Sequence, residues 1–173
     1  MKKNFLGIVC SVSIIVCLIV HYGSKALISR TGVRLLLPVT VESVKKDSFS
    51  FIAEIRYENF IPVEELKSDT GVLVVQRSDD GRVAFGGKFE GQKLRPSEIL
   101  LKYSIRQSFS PVKNDARPDI RFAASRLRFF SEKISRLSAI RYAVVYVDKN
   151  GNTSLAELTD GTGVSLIRGI GFP

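Results

Sequence analysis

Hydrophobic and polar positions along this chain change their period several times, and the first stretch is almost unbroken apolar. From Phe5 to Val20 no residue is charged, Lys2 and Lys3 precede the run, and His21 and Tyr22 extend it. The run is about 18 residues, against the about 20 that span a bilayer and the about 7–15 of a signal-peptide core. Gly7-Ile8-Val9 before Cys10 and Ile14-Ile15-Val16 before Cys17 are too bulky at their last position for lipoprotein processing. Ser24-Lys25-Ala26 is the one passable cleavage site, and a charge sits in its middle. The pattern predicts an uncleaved signal-anchor over 1–24, with a stem over 25–32. Lys25, Arg30 and Arg34 balance Lys2 and Lys3, so the positive-inside count leaves orientation open. The very short N-terminal tail makes N-inside the simpler insertion, which places the rest outside the cytoplasm.

Beyond the stem the period falls to two. In "DSFSFIAEIRYENF" the residues Phe49, Phe51, Ala53, Ile55 and Tyr57 share one face, predicting a half-buried antiparallel strand. "VRLLLPVTVES" before it is β-branched and apolar, and Pro38 predicts an edge, a bulge or two short strands there. "VLVVQRS" and "RVAFGGKF" flank Asp79-Asp80-Gly81, and "RYAVVYV" and "NTSLAEL" flank Asn150-Gly151. Both read as hairpins, because such turns need a residue that tolerates positive φ. Gly86-Gly87 predicts a bulge or bend. "SEILLKYSIRQ" reads as a strand, "SFSPVKNDARPD" as a loop and "IRFAA" as a short strand. In "SRLRFFSEKISRLSAI", Leu127, Phe130, Ile134 and Leu137 recur at helical spacing and predict one amphipathic helix, packed on the sheet or lying on a membrane. The Gly-rich tail 163–173 has no clear period.

The 173 residues carry a net charge of +9. Much of it lies between Arg106 and Arg141, where nine basic residues face Asp115, Asp119 and Glu132. Arg121, Arg126, Arg128, Lys133 and Arg136 are the candidate interaction residues for an anionic lipid or another polyanion. A solvated face that keeps the domain soluble explains the same residues. Nucleic acid is not expected, since Phe129 and Phe130 in "RFAASRLRFF" lie beside the predicted apolar face and the compartment is wrong.

Cys10 and Cys17 lie in the apolar run, as does the end-lying His21. From Gly23 onward there is thus no disulfide, thiol nucleophile or histidine acid/base, and no cofactor or metal is expected. "DKNGN" places Asp148, Asn150 and Asn152 as a calcium loop would begin, but Thr153 and Thr159 stand where that loop needs Gly and Glu. "FGGKFEG" lacks the ending of a phosphate loop. A Ser/Lys hydrolase needs neither Cys nor His, yet no serine or lysine stands in a diagnostic motif.

Three stretches, "LLLPVTVESVKKDSFSFIAEIRYE", "IRFAASRLRFFSEK" and "RYAVVYVDKNGNTSLAELTDG", follow in an order that resembles the bacterial family of membrane-anchored proteins named for its GDYxxLxY motif. Pro38 and Val39 match its Pro-Val pair. Ile55, Tyr57 and Glu58 match the end of the naming motif. Phe129, Phe130 and Glu132 match its aromatic–Glu stretch, and Asp148 and Gly151 its last hairpin. The Gly-Asp-Tyr triplet is absent; Ser50-Phe51-Ile52 stands in its place. The resemblance implies an envelope location and a polytopic membrane-protein partner, and no reaction.

These patterns predict an α+β, mainly antiparallel β protein: an N-terminal transmembrane helix, then one β-rich extracytoplasmic domain over 33–162 with one amphipathic helix. The expected place is the bacterial inner membrane, single-pass. The expected role is non-enzymatic binding of a membrane protein or envelope component, with anionic-lipid binding and Ser/Lys hydrolysis as alternatives.

Overall fold

A computed structural model describes residues 27–58, 60–61, 66, 68–110, 115–130 and 133–172, with 12–13, 15–17 and 23. Of 107–110, 115–118, 133–135, 170 and 172 only the backbone is described. The expected anchor lies mostly outside these residues; among the described ones no helix is long and apolar enough to cross a membrane.

A helical turn over 27–31 ends where the Gly32 N–H donates to the Ile28 carbonyl at 2.8 Å. The strands β1 (Val33–Asp47), β2 (Ser50–Tyr57), β3 (Thr70–Arg77), β4 (Val83–Lys88), β5 (Glu98–Ser110) and β6 (Asp115–Arg121) follow. Then come β7 (Arg126–Phe129), a 3-10 helix (Lys133–Ala139), β8 (Tyr142–Val147), β9 (Thr153–Thr159), β10 (Ser165–Arg168) and β11 (Ile170–Phe172). They build a seven-stranded sheet, β10-β9-β8-β1-β2-β7-β11, and a four-stranded sheet, β4-β3-β5-β6. All the strand pairs are antiparallel.

β1 is central rather than an edge. Its residues 33–38 pair with β8 and its residues 39–47 with β2. Pro38 sits at the handover. Its carbonyl accepts from the Glu58 N–H at 2.9 Å, so its missing donor falls just beyond Val39–Tyr57, the end pair of the β1–β2 ladder. There the loss interrupts no run of hydrogen bonds. The bulge in β1 lies at Glu42 instead, where the register shifts between Val41 and Ser43.

β10 pairs with β9 and β11 pairs with β7, and Gly169 alone separates the two strands. The two ends of the large sheet are therefore consecutive in the chain, and the sheet curls until they meet. A Cβ on Gly169 would run into the Arg128 carbonyl, so the crossing needs glycine. Leu35, Leu37, Ala53, Leu127, Phe129 and Val145 from this sheet share one core cluster with Leu73, Leu101 and Ile120 from the smaller one.

Both predicted hairpins form, with Gly81 at φ 87° and Gly151 at φ 79°. Gly86-Gly87 is a bulge, the register shifting opposite Val74 and Val75.

Four expectations need correction. The helix predicted over 125–140 is β7 followed by a 3-10 helix. Arg126-Leu127-Arg128-Phe129 also fits period two, with Leu127 and Phe129 fully buried and Phe130 74% exposed. β2 would otherwise leave its N–H and C=O groups unpaired along one edge, and β7 satisfies them. Phe49 is not in the strand face. It sits in the β1–β2 turn, 93% exposed, and the inward face begins at Phe51, followed by the buried Ala53, Ile55 and Tyr57. The loop expected over 108–119 is mostly ladder, with Pro118 tolerated because β6 is an edge strand. "IRFAA" contributes only Ile120 and Arg121 to a strand, the end of β6. The Gly-rich tail supplies β10 and β11.

Candidate functional site

Where the stem meets the sheets, a cleft of about 890 Å³ opens between the helical turn, the start of β5 and the β8–β9 hairpin. Val33 and Val147, the first pair of the β1–β8 ladder, lie in it with Ile99 and Leu100 of β5. Leu27 and Ile28 of the turn form one wall. Arg77, Asp79, Glu98 and Lys149 supply charge among its lining residues. Apolar and polar residues contribute about equally to its lining, and its volume lies within the range of ligand sites in general.

The stem is fixed to this wall. Ser29 Oγ lies 3.1 Å from Ser154 Oγ of β9, and Thr31 Oγ1 donates to the Leu27 carbonyl at 3.0 Å. A Cβ on Gly32 would stand 3.0 Å from the Val147 nitrogen, so the turn lies against β8.

The opposite wall is the Asn150-Gly151 hairpin. Asp148 Oδ1 accepts from the Asn150 and Asn152 N–H groups, each at 2.8 Å, and Oδ2 accepts from Asn152 Nδ2 at 2.8 Å. Burial pushes the Asp148 pKa up, but these bonds and the nearby Lys102 ammonium outweigh it and hold the carboxyl below its ordinary value. Both oxygens are thus taken up by the turn. Gly151 is needed twice, for its positive φ and because a Cβ would lie 3.2 Å from the Lys102 nitrogen. The Lys102 N–H donates to the Gly151 carbonyl at 3.1 Å, and Lys102 Nζ donates to Asn152 Oδ1 at 2.7 Å. These bonds tie the hairpin of the large sheet to β5 of the small one.

The other family-like positions are structural in geometry. Pro38 and Val39 mark the β1 handover, with Val39 1% exposed. Ile55 and Tyr57 are buried, and Glu58 accepts from Thr40 Oγ1 at 3.1 Å. Tyr57 Oη donates to the Ala124 carbonyl at 2.8 Å, and its ring meets Phe122 edge-on at 5.7 Å. Burial raises the Tyr57 pKa far above its ordinary value. Phe129 stacks on Phe51 with centroids 5.7 Å apart. Glu132 lies outside the described residues.

Of the basic candidates, β7 brings together Arg126 and Arg128 on its outward face. That face is a lattice of both signs. Arg128 Nη2 lies 3.3 Å from Asp47, Lys45 Nζ 3.0 Å from Glu54 and Arg56 Nη1 3.2 Å from Glu42. Arg126 stands opposite Glu54 in register. Hydrogen bonds from Ser43 and Lys45, with the charges of Lys45 and Arg126, hold the Glu54 carboxyl below its ordinary value. Ser43 and Lys45 thus share one carboxylate. Arg121 turns away into a second pocket, held by Asp119 at 2.9 Å and Ser125 at 3.1 Å. Arg136 is exposed on the 3-10 helix; of Lys133 only the backbone is described.

Sequence reasoning missed the cleft. Its lining comes from four separate segments, and the only linear trace is the apolar Leu27-Ile28 just past Lys25. Comparison of the chain with protein-family models, with curated proteins and with solved structures finds no match.

Proposed function

We propose that this chain is a membrane-anchored, non-enzymatic binding domain that takes a segment of a membrane-protein partner, or another envelope component, in the cleft beside its stem. One observation carries the reading. The residues lining that cleft include Leu27, Ile28 and Thr31, which follow the apolar run of the sequence by only a few positions and are fastened to the sheet. If the run over 1–24 is an anchor, whatever fills the cleft is held close to the membrane surface. Leu27 is 61% exposed there, an apolar side chain open to a partner. The resemblance to the GDYxxLxY family points the same way, since Asp148 and Gly151 shape one wall. A polyanion reading through Arg126 and Arg128 is weakened by Asp47 and Glu54 beside them.

The test places a photo-crosslinking residue at Lys149, and separately at Leu94, in full-length protein in native membranes. A single polytopic membrane protein captured at both positions, with the protein retained in membranes after alkaline extraction, is the expected result. Release into the soluble fraction would remove the anchor from the proposal. Absence of any captured species at both positions would remove the cleft.

A further inference from the structure

We propose that the seam between the two sheets holds a second site, for a small oxyanion of the phosphate class. It is a pocket of about 250 Å³ that shares no lining residue with the cleft, so it stands or falls separately. Its volume lies below the about 300–1,000 Å³ of sites for larger ligands.

The ladder explains why its donors converge. Ser104 pairs with Arg121 and Arg106 with Asp119 across β5 and β6. Alternate residues share a face, so these four lie on one side of the ribbon while Ile120 is buried on the other. The chain then turns through 122–125 and brings Ser125 Oγ to the Arg121 guanidinium. β9 closes the pocket with Thr153 and Ser154, and β11 with Gly171. A Cβ on Gly171 would stand 2.7 Å from the Leu155 Cβ, so that closure needs glycine.

The charge and donor balance suits an anion. Arg121 donates Nε to Asp119 and Nη1 to Ser125, which fixes the plane of the fork and leaves Nη2 without a hydrogen bond among the described residues. Arg106 makes no hydrogen bond or ion pair among the described residues, although it lines the same pocket. Guanidinium groups only donate, and their geometry matches a phosphate or carboxylate oxygen pair. Two arginines against the Asp119 carboxylate leave one positive charge uncompensated. The hydroxyls of Ser104 and Ser125 add further groups able to donate, while that of Ser154 is engaged with Ser29 of the stem. The Thr153 hydroxyl hydrogen is already given to the Phe122 carbonyl at 2.7 Å. The oxyanion is either free in solution or the phosphate of a lipid headgroup.

The experiment titrates inorganic phosphate into the full-length chain in a neutral detergent, by calorimetry, with Arg106→Gln, Arg121→Gln and Lys149→Gln alongside. Saturable binding is expected in the wild type and in Lys149→Gln, which alters the cleft alone. Loss of a charged hydrogen bond predicts about tenfold or greater weakening in Arg106→Gln. Arg106 is exposed, so its variant folds even if Arg121→Gln does not; melting curves check both. Vesicles of phosphatidylcholine with and without phosphatidic acid then separate the sources. Binding to phosphatidic acid that free phosphate displaces assigns the headgroup, and phosphate binding without vesicle preference assigns the free ion. No saturable binding to phosphate or to phosphatidic acid overturns the site, as does equal affinity in the wild type and Arg106→Gln.

Discussion

The hydroxyl of Tyr57 donates a 2.8 Å hydrogen bond to the carbonyl of Ala124, 67 residues further along the chain. The bond joins the end of β2 to the segment that links β6 to β7, where the two sheets exchange chain. Tyr57→Phe keeps the buried ring and loses the bond, at about 0.5–1.5 kcal/mol. Tyr57→Ala also empties the space against Phe122, at about 3–5 kcal/mol. Urea unfolding midpoints at constant slope measure both. Equal losses in the two variants would show that the hydroxyl, not the ring, dominates.

Gly169 lets the chain pass from β10, paired with β9, to β11, paired with β7, and so brings the ends of the large sheet together. Gly169→Ala is expected to cost about 1–3 kcal/mol or more, because the Arg128 backbone must give way. At Gly161 the nearest atom to a new Cβ is 3.9 Å away, and Gly161→Ala is expected to stay within about 0.5 kcal/mol. Thermal unfolding of the pair compares them. A Gly169→Ala protein as stable as the wild type would mean that the Arg128 backbone yields to a Cβ without cost.

Leu127 and Phe130 separate a strand from a helix. In the strand Leu127 is buried and Phe130 lies in solvent, so Leu127→Ala costs about 2–5 kcal/mol and Phe130→Ser less than about 0.5. A helix with both residues on its apolar face would make both substitutions costly. Denaturant titration of the two variants decides between these outcomes.

Acid should loosen the turns first. Hydrogen bonds from Ser78, Thr162 and Asn152 help hold the Asp80, Asp160 and Asp148 carboxyls below their ordinary values. The unfolded chain therefore binds more protons at low pH than the folded one. Stability from these groups is full above the ordinary carboxylate value of about 4 and is lost as pH falls through their lowered native values. Asp148→Asn is expected to lower the melting temperature at pH 7 and to reduce its drop between pH 7 and pH 3. An unchanged drop would show that Asp148 contributes nothing to the acid response.

The hairpins were legible in the chain itself, because positive φ at Gly81 and Gly151 is a local demand that few residues meet. So was the antiparallel β character, since alternation in β2 records one buried face. Partner choice was not legible. Pro38 signals a missing donor, but only the ladder shows it spent at the end of a pairing in a central strand. Arg126 to Phe129 satisfy two periods at once, and the open edge of β2 selects the extended one. Both pockets depend on the same kind of choice. Leu27 and Leu100 come to line one cleft, and Arg121 and Thr153 one pocket, only after strands distant in sequence have paired. Local periodicity carries the face that a residue presents; which other residues meet it there is set by the free energy of the whole packed core.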